Sequence, residues 1–502
     1  MEYAIIALYI GGMLGIGWWA KTRVRNQSDF LVAGRRLGPI LYTGTMAAIC
    51  IGGASTVGGV GLGYEYGISG MWLVFFIGTG LLLLSLVFAG RINRLGIYTV
   101  SEMMELRFGS KAASFLSALV MLGYTFMIAV TSTIAYGAVF SVLFDIDRTL
   151  ATILGGGIVI LYSSIGGMWS ISLTDFVQFL IKTVGIFGVL LPAVLIKAGG
   201  WEGMRAALPE SSFSFGTIGG GTITSYFVIY FFGLVIGQDI WQRVFTARSE
   251  SVAKWSGAAA GTYCLLYSVA GALIGMGARV IMPDIADRDQ VFTEIVNNTL
   301  PVALAAIVVA GALSAIMSTS SGGLIAAATV ARKDIAGPIL AAIGKQTNDE
   351  NDSRAIRHDR IYIIVTGVLV LATASVLNDI VAALTIAYDI LVGGLLVPIL
   401  GALVWKRATG TGALAATIAG TVSTLAVMAY VGDIYANEPI FVGIAVSAAV
   451  FVIASLVTRP TDAALLHQWN QRIENTRTPS DAASSTAQTN VTTAQEPVTI
   501  HD

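Results

Sequence analysis

Along this chain, apolar residues run unbroken for the length of a membrane crossing many times over, and charged residues gather in short stretches between the runs. An apolar run of about 18 or more residues reads as a transmembrane helix. The pattern predicts about 13 spans at the usual helix length, roughly 3–20, 38–63, 71–90, 112–143, 149–166, 172–196, 222–241, 256–278, 302–331, 360–377, 381–404, 411–431 and 438–457. The first run opens Met-Glu-Tyr with no basic leader, so it reads as an uncleaved span rather than a signal peptide. Beyond residue 460 the character changes. Pro479 to Asp502 is rich in Ser, Thr, Ala and Gln, a composition that buries too little apolar surface to offset chain entropy. The expectation is one transmembrane domain over 1–459 and a disordered cytoplasmic tail over 460–502.

Composition sharpens the class. Of 502 residues, 55% are hydrophobic and only 12% charged, against about 25% charged in soluble domains; the mean hydropathy is +0.77. A net charge of -1 suggests no nucleic-acid partner, and the partner expected instead is the lipid bilayer. Cys50 and Cys264 lie in apolar segments and offer neither a disulfide framework nor metal-ligand spacing. His358, His467 and His501 fall in polar stretches, which excludes a proton relay through membrane-buried histidine. Lys and Arg set the orientation: with the N-terminus outside, about 23 of the 29 fall in cytoplasmic loops or the tail, so the C-terminus is expected inside.

Two spans carry signs of interruption. The second contains Ile51-Gly-Gly-Ala-Ser-Thr56, and the seventh contains Gly233 and Gly237 before Gln238 and Asp239. Small residues that let helices pack closely would explain the second span equally well. The alternative is unwinding, which frees backbone carbonyls for a cation, and breaks at matching positions of two halves point to an inverted-repeat transporter. The halves would be about 38–196 and 222–404. In the ninth span Ser318 and Thr319 present adjacent hydroxyls, either bonded back to the preceding turn or contributing to an oxygen cage for a small alkali cation. Charges at bilayer depth cost at least about 2.5–3.5 kcal/mol, which makes Glu65, Asp175, Asp239 and Asp389 candidates. Glu65 and Asp239 lie near span ends and read as solvated; Asp389 is deepest. Lys182, seven residues from Asp175, is expected either in an internal ion pair with it or in a functional role.

Four stretches resemble the solute:sodium symporter family over roughly residues 1–460: Thr99-Val-Ser-Glu-Met-Met-Glu-Leu-Arg-Phe-Gly109, Gly166-Gly-Met-Trp-Ser-Ile-Ser-Leu-Thr-Asp-Phe-Val-Gln178, Gly237-Gln-Asp-Ile-Trp-Gln-Arg243, and Ala315-Ile-Met-Ser-Thr319 through Asp334. The resemblance implies an all-α polytopic membrane protein of LeuT type, with inverted five-helix repeats, acting as a secondary transporter rather than an enzyme. It implies sodium-coupled symport, in the plasma membrane, of a small organic solute. One sodium would be held by the carbonyls of Ala48, Ile51 and Ala315 and the hydroxyls of Ser318 and Thr319, with Asp175 nearby. Ala312 and Ala315 occupy the face where some members hold a second sodium, so one ion is expected. The solute cavity would be lined by Gly52, Gly53, Ser55, Tyr124, Gly237, Gln238, Tyr388 and Asp389. Tyr388 and Asp389 tilt the solute toward an amine, such as proline, choline or a polyamine. Proton coupling through Asp175 or Asp389 is the alternative within this fold, and a channel or sensor the alternative outside it.

Overall fold

A backbone inside lipid has to satisfy its own N–H and C=O groups, and within one segment only a helix does so. The computed structural model describes residues 2–344, 352–377, 379–432 and 436–474, and its named elements are all helical. The helices used below are α1 (Glu2–Ala20), α2 (Pro39–Cys50), α3 (Gly59–Tyr66), α4 (Trp72–Leu83), α5 (Val100–Phe108), α6 (Lys111–Phe144), α7 (Arg148–Thr183), α8 (Phe232–Ile236), α9 (Gln238–Val244), α10 (Gly257–Ile281), α11 (Val302–Val330), α12 (Asp352–Ala374), α13 (Ile380–Val404), α14 (Gly410–Val431), α15 (Glu438–Val457) and α16 (Ala463–Glu474).

Among the described residues eight stretches are long and apolar enough to cross a membrane, or nine if a bent pair counts as one. Two are longer than one crossing: Ala54–Leu95 has 42 residues and Arg148–Lys197 has 50. Each turns at a glycine with positive φ, Gly67 (φ 63°) and Gly167 (φ 54°). At Gly167 a Cβ would stand 2.4 Å from the Phe30 carbonyl oxygen, so both conformation and space require glycine. The runs expected at 149–166 and 172–196 meet at this turn.

α11 packs against α6 and α7, and α13 against α6. α13 is 83% buried along its apolar window whereas α14 is 22% buried, which puts α13 at the centre and α14 at the rim. Large apolar side chains such as Leu154, Ile196, Leu266 and Ile453 face outward, as lipid contact requires. The motif around α5 has a local explanation. Thr99 Oγ1 accepts the Glu102 N–H (3.1 Å) and Glu102 accepts the Tyr98 N–H (3.0 Å), which together form a cap for the helix start. Arg107 then donates to the carbonyls of Ala402 and Trp405, each 3.1 Å, where α13 ends.

The tail expectation needs correction in its first part. Residues 463–474 form α16, which packs on α5 and on the helix Ala89–Leu95 with Trp469 buried. One indole with apolar neighbours outweighs the polar average of the segment. Residues 475–502, including the Ser/Thr/Ala/Gln-rich stretch, lie outside the described residues.

Candidate functional site

α2 ends at Cys50, and Ile51 leaves the helical region with φ −104° and ψ 82°. A π-helical turn, Ala54–Gly58, then leads into α3. The break lies against α11: a Cβ on Gly52 would stand 2.5 Å from Thr319 Oγ1, so any other residue would push the two segments apart. The second break falls at Gly237, whose extended backbone (φ −64°, ψ 130°) separates α8 from α9 at a bend of 43°. The carbonyl of Val235 just before it accepts the Trp241 indole N–H at 2.8 Å.

Unwinding at α2 exposes consecutive carbonyls, and each finds a donor from the chain itself. Ser318 Oγ donates to Ala48 (2.8 Å) and Ala315 (3.0 Å), Thr319 Oγ1 to Ile49 (2.7 Å), and Ser55 Oγ to Cys50 (3.1 Å). The ammonium of Lys182 donates to Ala47 at 3.4 Å, Ala48 at 3.2 Å and Ile51 at 3.2 Å. The five residues implied as sodium ligands, Ala48, Ile51, Ala315, Ser318 and Thr319, therefore do lie together. Two of their three carbonyls are held by a lysine, and Thr319 is turned to Ile49. A sodium ion sharing the Ala48 and Ile51 oxygens would sit about 4 Å from the ammonium, a repulsion of about 4 kcal/mol at an effective dielectric of 20. In this arrangement the cage does not fit a sodium ion.

Lys182 is not the partner of Asp175. The carboxylate accepts from Thr45 Oγ1 at 2.6 Å and pairs with Arg243 Nη2 at 3.2 Å, with both charged side chains fully buried. Asp175, Thr45 and Arg243 tie α7 to α2 and α9. Glu65 behaves as expected of an end residue, part-exposed and paired with Arg288 at 3.4 Å.

A narrow cavity of about 30 Å³ lies beside the first break. Cys50, Gly52, Gly53 and Ser55 form one wall, Thr131 and Ser132 of α6 another, and Leu234, Asp239, Thr319, Leu384 and Tyr388 close it. Of the expected lining, Gly52, Gly53, Ser55 and Tyr388 are present; Tyr124, Gly237, Gln238 and Asp389 are not. Tyr124 stands behind the wall, its hydroxyl donating to Asp239 Oδ1 (2.8 Å) and its ring 5.3 Å from that of Tyr388. Gly237 packs toward the Tyr124 hydroxyl. Gln238 faces away, accepting the Val100 N–H (2.7 Å) and donating to the Tyr98 carbonyl (3.1 Å), so it latches the second break to α5. Asp389 follows Tyr388 on a continuous helix, and neighbours about 100° apart cannot share one face; it is buried outside the lining.

Asp239 corrects the opposite error. Read as solvated at a span end, it is 3% exposed and lines the cavity. The bend at Gly237 makes it the first turn of a new helix, where the N-terminal dipole favours a carboxylate. The signal was present in Gly237-Gln-Asp239, a break followed at once by an acid.

A model of the sodium:solute symporter family matches residues 30–420. The high-affinity proline transporter PutP of Bacillus subtilis is 24% identical over 477 residues, spanning 91% of this chain and 98% of its own. The sodium/pantothenate symporter of Escherichia coli is 27% identical over 435 residues, 83% and 88% of the two chains. The high-affinity choline transporter 1 of Caenorhabditis elegans is 28% identical over 291 residues, 55% of this chain and 49% of the transporter, so this chain spans about half of that relative's length. Among solved structures, a sodium-coupled sialic acid symporter in a substrate-bound outward-open state superposes with a TM-score of 0.79 at 17% identity, covering 92% of this chain and 98% of that one. The inward-facing Mhp1 transporter gives 0.57 at 16% identity, covering 90% and 99%; these two likenesses establish the LeuT-type fold. With the family match extending across both helix breaks, α7 and α11, the chain belongs to the sodium:solute symporter family.

Proposed function

We propose that this chain moves a small, amine-bearing organic solute across the plasma membrane by alternating access, through the cavity between the two helix breaks. The observation that carries the reading is the cavity itself: both breaks border it, and its lining holds one acid, Asp239, and no Lys or Arg. A carboxylate at a helix start and the ring of Tyr388 suit a cationic amine, which pairs with the first and packs on the face of the second. An amino acid such as proline, choline or a polyamine has this chemistry. A space of about 30 Å³ holds about one water, so the walls have to part to admit a solute, as alternating access requires.

Family membership supports a multi-pass transporter and makes sodium the co-transported ion to test; an N-terminus outside and a C-terminus inside rest on the Lys and Arg asymmetry alone. The Lys182 contacts bear directly on the ion. The test of the solute reading is counterflow into proteoliposomes with a pool of labelled amines, zwitterions and carboxylates. Uptake of a cationic or zwitterionic amine, weakened in Asp239→Asn, is expected. Selective uptake of a plain carboxylate would overturn the amine reading.

A further inference from the structure

The carbonyls at the first break are already engaged by donors from the chain itself. From Ala47 to Ile51, all five accept a hydrogen bond: Ala47 from Lys182, Ala48 from Lys182 and Ser318, Ile49 from Thr319, Cys50 from Ser55, and Ile51 from Lys182. An ammonium has three donors, and Lys182 spends one on each of three carbonyls. These oxygens lie at the C-terminal, negative end of the α2 half-helix, where a positive charge is favoured. We infer that Lys182 is a tethered replacement for the coupling ion, so that this member of the family binds and carries its solute without sodium.

Three further observations support this. Lys182 is fully buried, and among the described residues no carboxylate forms an ion pair with it: Asp175, near enough to act on it through space, bonds instead to Arg243 and Thr45. The break carbonyls are then its compensation. The lysine stem is also firmly placed, because α11 runs so close that a Cβ on Gly311 would lie 3.2 Å from Lys182 Cα. Lastly, a sodium ion added at the same oxygens would meet the repulsion derived above, equivalent to about a thousandfold loss of affinity.

The inference rests on the first break being the cation site of a solute carrier, and its test is chosen to work without knowing the solute. Saturable binding of radioactive sodium to the purified full-length protein is measured for wild type, Lys182→Ala and Lys182→Met. Wild type is expected to bind none, and Lys182→Ala, which opens the cage, to gain saturable binding that is lost again on adding Ser318→Ala. Sodium binding by wild type would overturn the inference whatever the variants do. So would a well-folded Lys182→Ala that binds none, since the lysine would then not be what excludes the ion. Once a solute is found, wild-type counterflow should be the same in sodium-free and sodium-replete buffers, while a tenfold stimulation by sodium, the value of about one good oxygen contact, would also overturn it. Failure of every solute in the pool would count against the carrier reading and leave the binding result standing.

Discussion

Asp175 and Arg243 are both fully buried and bond at 3.2 Å between α7 and α9, with Thr45 of α2 on the same carboxylate oxygen at 2.6 Å. Removing one member of a buried pair leaves an uncompensated charge and costs about 3–5 kcal/mol, whereas neutralising both is often nearly free. For Arg243→Met, Thr45 alone is left to face the carboxylate. In Asp175→Asn the damage should be at least as great, because Arg243 Nε and Nη1 already have no hydrogen-bond partner among the described residues. An unfolding entropy of about 2.1 cal/mol/K per residue gives about 1 kcal/mol/K over 502 residues. Each single variant should therefore melt about 3–5 °C below wild type. The double variant Asp175→Asn with Arg243→Met should recover most of that loss, giving a coupling energy of about 5 kcal/mol or more. The assay is thermal unfolding of the detergent-purified protein, followed by tryptophan fluorescence and by retention of the monodisperse size-exclusion peak. Additive losses in the double variant would show that the two side chains do not act as a pair, and the geometric argument would fail.

Asp389→Asn should leave the solute KM unchanged within about twofold while Asp239→Asn raises it about tenfold or more, as loss of one charged contact of about 1.4 kcal/mol or more predicts; the reverse order in initial-rate uptake would return Asp389 to the cavity. Gly233→Ala would place a Cβ 2.1 Å from the Tyr388 ring, so overpacking should lower stability by about 1–3 kcal/mol, and an unchanged melting temperature would refute the close approach of α8 to α13. Cys50 borders the cavity, so a small thiol reagent should block uptake and solute should protect; full uptake after modification at Cys50, verified by mass spectrometry, would remove it from the wall. Truncation after residue 478 should leave uptake intact, whereas Trp469→Ala should cost about 3–5 kcal/mol by emptying the α16 contact; equal melting curves for wild type and Trp469→Ala would show that the helix is not docked.

Several features of this protein are local, and the chain dictated them. Apolar run length forces helices in lipid, and paired glycines beside Ser55 and Gly237 beside Gln238 mark where those helices break. Thr99 with Glu102 writes a helix cap, and Ala315 to Thr319 places two hydroxyls on one turn. All of these depend on neighbours within a few residues, so spacing reveals them. What the tertiary structure decided is which groups meet across the core. Asp175 and Lys182 are seven residues apart on one helix and read as a pair, yet each prefers a better partner from elsewhere: a guanidinium 68 residues onward for the acid and the freed carbonyls of α2, 131–135 residues back, for the ammonium. Asp239 and Asp389 exchanged expected roles because a 43° bend turned one into the cavity, while helical rotation turned the other away. A buried charge is stabilised by whatever dipole or counter-charge three-dimensional packing brings within about 3 Å, and distance along the chain carries no record of that.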